Sequence, residues 1–146
     1  MTDLNAPILL VEDNPMDVDL TRRAFTRRKL TNPLEVARDG EEALSWIPRW
    51  EAGEPRPVII LLDLKLPKID GLEVLRRLKA HPVYRTIPVA VLTSSDEDRD
   101  IETAYQLGVN SYIVKPVDFD KFLEVAEQIE LYWVVLNRPP MGDMGR

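Results

Sequence analysis

Five consecutive apolar residues, Val58-Ile59-Ile60-Leu61-Leu62, run without a polar interruption and stop abruptly at Asp63. A strand with one wet face alternates apolar and polar side chains, so an unbroken apolar run belongs to a strand covered on both faces. Such cover is usual in parallel sheets, where each return to the same edge crosses over through a helix. The chain supplies both kinds of segment in turn. Ile8-Leu9-Leu10-Val11, residues 34–37, residues 89–93 and Tyr112-Ile113-Val114 read as further short strands. Residues 15–30 read as a helix opened by Pro15, with Val18, Leu20, Thr21, Ala24 and Phe25 along one broad face. Asp39 with Glu42 three places on forms a capping-box pattern for a second helix, which Pro48 is expected to stop or kink. Residues 51–57 read as a loop, and Asp70-Gly71 as a turn into a third helix with Val74, Leu75 and Leu78 inward, ended by His81-Pro82. A fourth helix carries Ile101, Ala104 and Tyr105 and stops at Gly108. Asp118 caps a last one with Phe119, Phe122, Ala126, Ile129 and Trp133 on one stripe. Five strands alternating with five helices predict a doubly wound α/β sandwich on a five-stranded parallel sheet, one domain over residues 1–136 with a tail at 137–146.

Several function classes are disfavoured early. The apolar run at 58–62 is far short of the about 20 residues a membrane helix needs. The N-terminus shows no secretory pattern, and a cytoplasmic location is expected. With no cysteine there is neither a disulfide framework nor a thiolate metal site. A formal net charge of −6 argues against a nucleic-acid surface, which needs clustered positive charge. One basic cluster, Arg22, Arg23, Arg27, Arg28 and Lys29, reads as the solvated face of the first helix, with docking of a kinase as the alternative. Trp46 and Trp50, four apart on one helix, read as packing, and His81 as a helix end.

In sheets of this kind ligands bind beyond the carboxyl ends of the strands. The first strand ends in Glu12-Asp13, the third in Asp63, the fourth in Thr93 and the fifth in Lys115. Three carboxylates, a hydroxyl and an ammonium would therefore meet at one end of the sheet. Clustered carboxylates repel one another, and a hard divalent cation such as Mg²⁺ resolves that repulsion while leaving room for a phosphate oxygen. With the metal in place, Asp63 can act as an oxygen nucleophile toward phosphorus. Lys115 and Thr93 offer a positive charge and a hydroxyl donor for the phosphoryl oxygens.

These pieces carry a resemblance. Leu10-Val11-Glu12-Asp13-Asn14, Leu61-Leu62-Asp63-Leu64, Leu66-Pro67-Lys68-Ile69-Asp70-Gly71, Val91-Leu92-Thr93-Ser94 and Tyr112-Ile113-Val114-Lys115-Pro116 occur in order over residues 8 to 130. Together they resemble the receiver domain of two-component response regulators, a flavodoxin-like (βα)5 fold. The resemblance implies Asp63 as phosphoacceptor and a Mg²⁺ (or Mn²⁺) site of Asp13, Asp63 and the Lys65 backbone carbonyl, with Glu12 acting through water. It implies Thr93, Ser94 and Lys115 as phosphate contacts, and Thr93 with Tyr112 as a switch pair. It further implies a cis peptide at Lys115-Pro116 and a structural role for Gly71. Glu12 stands where the family more often has Asp, which keeps the carboxylate.

A narrower likeness rests on Ile87-Pro88-Val89, Ser94-Ser95-Asp96, Asn110-Ser111-Tyr112-Ile113 and Phe119-Asp120-Lys121-Phe122. It resembles the small stand-alone regulators that pair with bacterial phytochrome kinases. The implied partners are a sensor histidine kinase, a phytochrome among the candidates, and a second copy through the last helix and fifth strand. Tyr132-Trp133-Val134-Val135-Leu136 suits such a contact. Neither DNA nor membrane is an expected partner, since roughly a dozen residues past the last helix are too few for a DNA-binding module. Two competing functions are weaker. A phosphatase of the haloacid dehalogenase type looks for Asp two residues past its nucleophile, where this chain has Lys65. A degenerate receiver would lack site positions that are filled here.

Overall fold

The computed structural model describes residues 6–115 and 118–137. Five strands, β1 (Ile8–Val11), β2 (Leu34–Ala37), β3 (Ile59–Leu62), β4 (Val89–Thr93) and β5 (Ser111–Val114), form one parallel sheet in the order β2-β1-β3-β4-β5. Five helices connect or follow them: α1 (Pro15–Arg27), α2 (Gly40–Glu51), α3 (Gly71–Ala80), α4 (Asp98–Gln106) and α5 (Phe119–Asn137). The strand order turns back on itself between β1 and β3, so a crevice opens beyond the carboxyl ends of those two strands.

The strands divide their side chains between two cores because successive residues point to opposite faces. Leu9, Val11, Ile60, Leu62, Val89 and Val91 pack with Trp46, Trp50, Leu75, Leu78 and Ala104 on the α2, α3 and α4 side. Ile8, Leu10, Ile59, Leu61, Ala90 and Leu92 pack with Ala24, Phe25, Phe122, Val125, Ala126 and Ile129 on the α1 and α5 side. Every residue of β3 is buried, as a doubly covered strand requires. The two tryptophans are core side chains, with Trp50 edge-on to Tyr84 at 5.2 Å between ring centres.

Pro48 neither stops nor ends α2, which runs on to Glu51. The missing N–H of Pro48 frees the carbonyl four residues back, but Pro48 is on the exposed face, where water can serve that carbonyl. Buried Trp46 and Trp50 flank it and hold both halves of the helix on the core. The capping box closes with a shift of one residue. The Glu42 amide donates to Asp39 Oδ1 at 2.7 Å, while the Glu42 carboxylate accepts from the Arg38 amide rather than from Asp39. His81 does close α3: its Nδ1 accepts from the Val83 and Tyr84 amides at 3.0 and 3.2 Å. Gly108 sits past the end of α4 with φ +97°, a conformation that favours glycine. Of the tail expected over 137–146, Asn137 closes α5 instead, and residues 138–146, the Lys115-Pro116 bond and the side chains of residues 131–137 lie outside what the structure describes.

Candidate functional site

The ladders of β1 with β2 and with β3 each continue one residue past the strands and carry the acidic side chains with them. The Glu12 amide donates to the Ala37 carbonyl at 2.9 Å and the Asp63 amide to the Val11 carbonyl at 3.0 Å. On the other side the Lys115 amide donates to the Thr93 carbonyl at 2.7 Å, which brings the end of β5 beside the end of β4. The parallel register therefore delivers Glu12, Asp63, Thr93 and Lys115 to one edge.

Glu12 is 1% exposed and Asp63 is 5% exposed, whereas Asp13 reaches solvent. Carboxylate oxygens of these three residues lie within 4.8 Å of one another. Lys115 Nζ donates to Glu12 Oε1 at 2.6 Å, to Asp17 Oδ2 at 2.8 Å and to Asp63 Oδ2 at 3.1 Å. An ammonium has three protons, so Lys115 is saturated. It supplies counter-charge, yet one ammonium contacting three carboxylates stands beside a fourth, Asp13. Burial pushes the Glu12 carboxyl up to about 7, the Asp63 charge adds to the rise, and Lys115 opposes it. Burial also works against the charge on Lys115, but the hydrogen bonds to Asp17 and Glu12 and the charge of Asp63 outweigh it and hold the ammonium above its ordinary range.

The uncompensated charge, the all-oxygen donor set and the proximity of the three carboxylates fit a hard divalent cation. The backbone past Asp63 is fixed for such a site. The Lys65 amide donates to Asp63 Oδ1 at 3.0 Å, and the Gly71 amide donates to the Leu64 carbonyl at 3.1 Å. A Cβ on Gly71 would run into the backbone of Asp63 and Leu64, so only glycine lets α3 start this close to the acidic edge.

Thr93 is fully buried and accepts from the Ser95 amide at 3.4 Å through its hydroxyl oxygen, while Ser94 is exposed on the loop after β4. Tyr112 is half-buried against the α2–α4 core, and its hydroxyl donates to the Ser95 carbonyl at 2.9 Å. Ser95 thus joins Thr93 and Tyr112, and its own hydroxyl donates to Asp100 in α4. In the sequence Ser95 figures only within the Ser94-Ser95-Asp96 likeness, and sequence reasoning gave it no part in the site. Asp17 escaped it altogether, because an acid in the first turn of a helix is ordinary.

Known proteins bear on this geometry. A family model described as the response regulator receiver domain matches residues 8–127. The probable methanogenesis regulatory protein FilR2 of Methanothrix harundinacea is 46% identical over 134 residues, covering 91% of this chain and 86% of that protein. The crystal structure of the phosphorylated cyanobacterial phytochrome response regulator RcpA is 37% identical with a TM-score of 0.79, covering 90% of this chain and 96% of that one. The Mn²⁺-bound form of the response regulator Rcp1, a protein of Synechocystis, is 36% identical with a TM-score of 0.79, covering 92% and 99%.

Proposed function

The chain belongs to the response regulator receiver domain family, and from that premise we propose that Asp63 is its phosphoacceptor, charged by a sensor histidine kinase. The observation that carries the reading is the contact of Lys115 Nζ with Asp63 Oδ2 beside Glu12 and Asp13. It sets a nucleophilic oxygen, its counter-charge and a cation site at one point.

A divalent cation held by Asp13, Asp63 and the Lys65 carbonyl, with Glu12 behind a water, would shield the carboxylates and the phosphoryl oxygens from one another. The protein's own groups do the rest. An Asp63 carboxylate oxygen attacks the phosphorus of a phosphohistidine. The new P–O bond forms as the P–N bond breaks, and the imidazole departs with the bonding electron pair and takes up a proton. Lys115 then covers one phosphoryl oxygen, and the Thr93 hydroxyl, once it leaves the Ser95 amide, donates to another, with Ser94 beside it. Loss of the Thr93 contact loosens Ser95, which frees Tyr112 to move inward and reshapes the α4–β5–α5 face. Slow hydrolysis of the acyl phosphate by water resets the protein.

The likeness to RcpA supports a kinase of phytochrome type, and a second copy docking through α5 and β5 is the expected output contact. Residues 1–136 are read as the receiver domain and 137–146 as a tail, with neither DNA nor membrane as partner and a cytoplasmic location. Among the described residues no helix is long and apolar enough to cross a membrane. Incubation with acetyl phosphate and Mg²⁺, followed by intact mass, tests the reading. One added phosphoryl group on the wild type and none on Asp63→Asn is expected; equal labelling of both would overturn it. Size exclusion with beryllofluoride and Mg²⁺ on the same pair reports on dimerisation.

A further inference from the structure

Asp17 belongs to no part of the acidic cluster that would hold a cation, yet it makes the second-shortest contact to the Lys115 ammonium. Its position explains why it is free to do so. Asn14 caps α1 with Oδ1 on the Met16 amide at 2.9 Å, and Asp17 occupies the third helical position, from which a capping box would turn its carboxylate back onto the Asn14 amide. Glu12 already takes that amide, through Oε2 at 3.1 Å. Asp17 therefore has no capping duty and reaches Lys115, 98 residues away in sequence, instead.

The helix that carries it is firmly placed. Asn14 O accepts from the Val18 amide at 3.1 Å, Val18 is buried, and the Asp17 carbonyl accepts from the Thr21 hydroxyl at 2.7 Å. Because all three ammonium protons are engaged, a phosphoryl oxygen can reach Lys115 only by displacing a carboxylate. The contact that yields is the one to Asp63. It is the longest of the three, and that carboxylate becomes the acyl phosphate. Glu12 is drawn toward any bound cation, which leaves Asp17 as the partner with no other demand on it.

On the phosphoacceptor reading above, we propose that Asp17 is a positioning residue: it holds one N–H of Lys115 to α1 while a second N–H of the same ammonium turns from Asp63 to a phosphoryl oxygen. Asp17 acts through Lys115 and touches neither the cation nor the phosphorus.

The test compares wild type, Asp17→Asn, Asp17→Glu and, as a control on the same helix, Asp19→Asn, whose residue pairs with Arg23 at 2.8 Å on the surface. In metal-free protein, ¹H–¹⁵N spectra of lysine ammonium groups, assigned with Lys115→Arg, should show a slowly exchanging Lys115 signal in wild type and Asp19→Asn. Asp17→Asn should lose it and Asp17→Glu should restore it in part. Phosphorylation by acetyl phosphate at saturating Mg²⁺ should slow about tenfold or more in Asp17→Asn, the usual scale for groups that orient a site from behind. It should recover substantially in Asp17→Glu, while Mg²⁺ affinity by calorimetry falls far less than the rate, since the cation's ligands are untouched. A wild-type rate in Asp17→Asn, an unchanged Lys115 signal, or an Mg²⁺ affinity that falls as far as the rate would each overturn the proposal. If Asp17→Asn does not fold, failure of Asp17→Glu to hold the Lys115 signal overturns it equally. A wild type that takes no phosphoryl group, with the ammonium signal still dependent on Asp17, would instead sink the phosphoacceptor reading and leave the anchor standing.

Discussion

Replacing Asp63 by Asn removes one charge, keeps the side chain's shape, and leaves an oxygen for the Lys65 amide. Its effect on stability follows from the site's geometry. Asp63 is repelled by Glu12 and Asp13, each with an oxygen within 4.8 Å, and attracted by Lys115 at 3.1 Å. At an effective dielectric near 20 each repulsion amounts to about 3 kcal/mol and the attraction to about 5 kcal/mol. With both carboxylates ionised the repulsions exceed the attraction by about 1 to 2 kcal/mol, so the Asn protein should be the more stable without metal. Near this chain length that corresponds to a melting temperature higher by about 5 °C.

The sign depends on pH. Glu12 titrates at about 7, so at pH 6 it is mostly neutral, one repulsion disappears, and the attraction to Lys115 wins. Asp63→Asn should then be less stable than wild type. Mg²⁺ reverses the order at pH 8 as well, because it stabilises the protein that binds it: about 2.7 kcal/mol at a hundredfold excess over the dissociation constant. The assay is thermal melting of both proteins in low salt, at pH 6 and pH 8, with chelator and with Mg²⁺. A variant that melts below wild type at pH 8 in chelator, or Mg²⁺ raising both proteins equally, would refute the picture of a carboxylate cluster under strain.

Three further outcomes follow from particular residues. Glu12 is raised from an ordinary 4.5 to about 7, so the folded protein holds its proton where the unfolded chain has lost it. Its contribution is full below about 4.5 and is lost as pH rises through 7, about 3 kcal/mol in all for the metal-free protein by denaturant unfolding across that window, and saturating Mg²⁺ should flatten the decline. Lys29 ends α1 with φ 60°, while the Leu30 amide reaches the Phe25 carbonyl at 2.9 Å and the Lys29 amide the Thr26 carbonyl at 3.0 Å. Glycine suits that position better, so Lys29→Gly should stabilise by about 1 kcal/mol in urea unfolding. Phe122 is fully buried between α5 and the sheet, and Phe122→Ala should cost about 3 to 5 kcal/mol, read in the same assay as a lower midpoint with an unchanged slope.

The architecture was legible because its signals are short in range. Unbroken apolar runs mark strands covered twice, and the topology of parallel sheets then brings strand ends together whatever lies between them. Glu12, Asp63 and Lys115 could be placed at one edge by that rule alone. That α2 runs past Pro48 was not legible for the opposite reason: the local cost is real, but Trp46 and Trp50 hold the helix through packing that no local pattern displays. Asp17 was missed on similar grounds. An acid at the third position of a helix satisfies every local expectation of a cap, and it becomes something else only because Glu12 has taken the amide it would serve. The same displacement ties α1 to the end of β5, so a charge change at Asp63 is felt through Lys115 by two elements that share no strand pairing. A site whose one ammonium is shared by Glu12, Asp17 and Asp63 must re-divide it when any of the three changes charge.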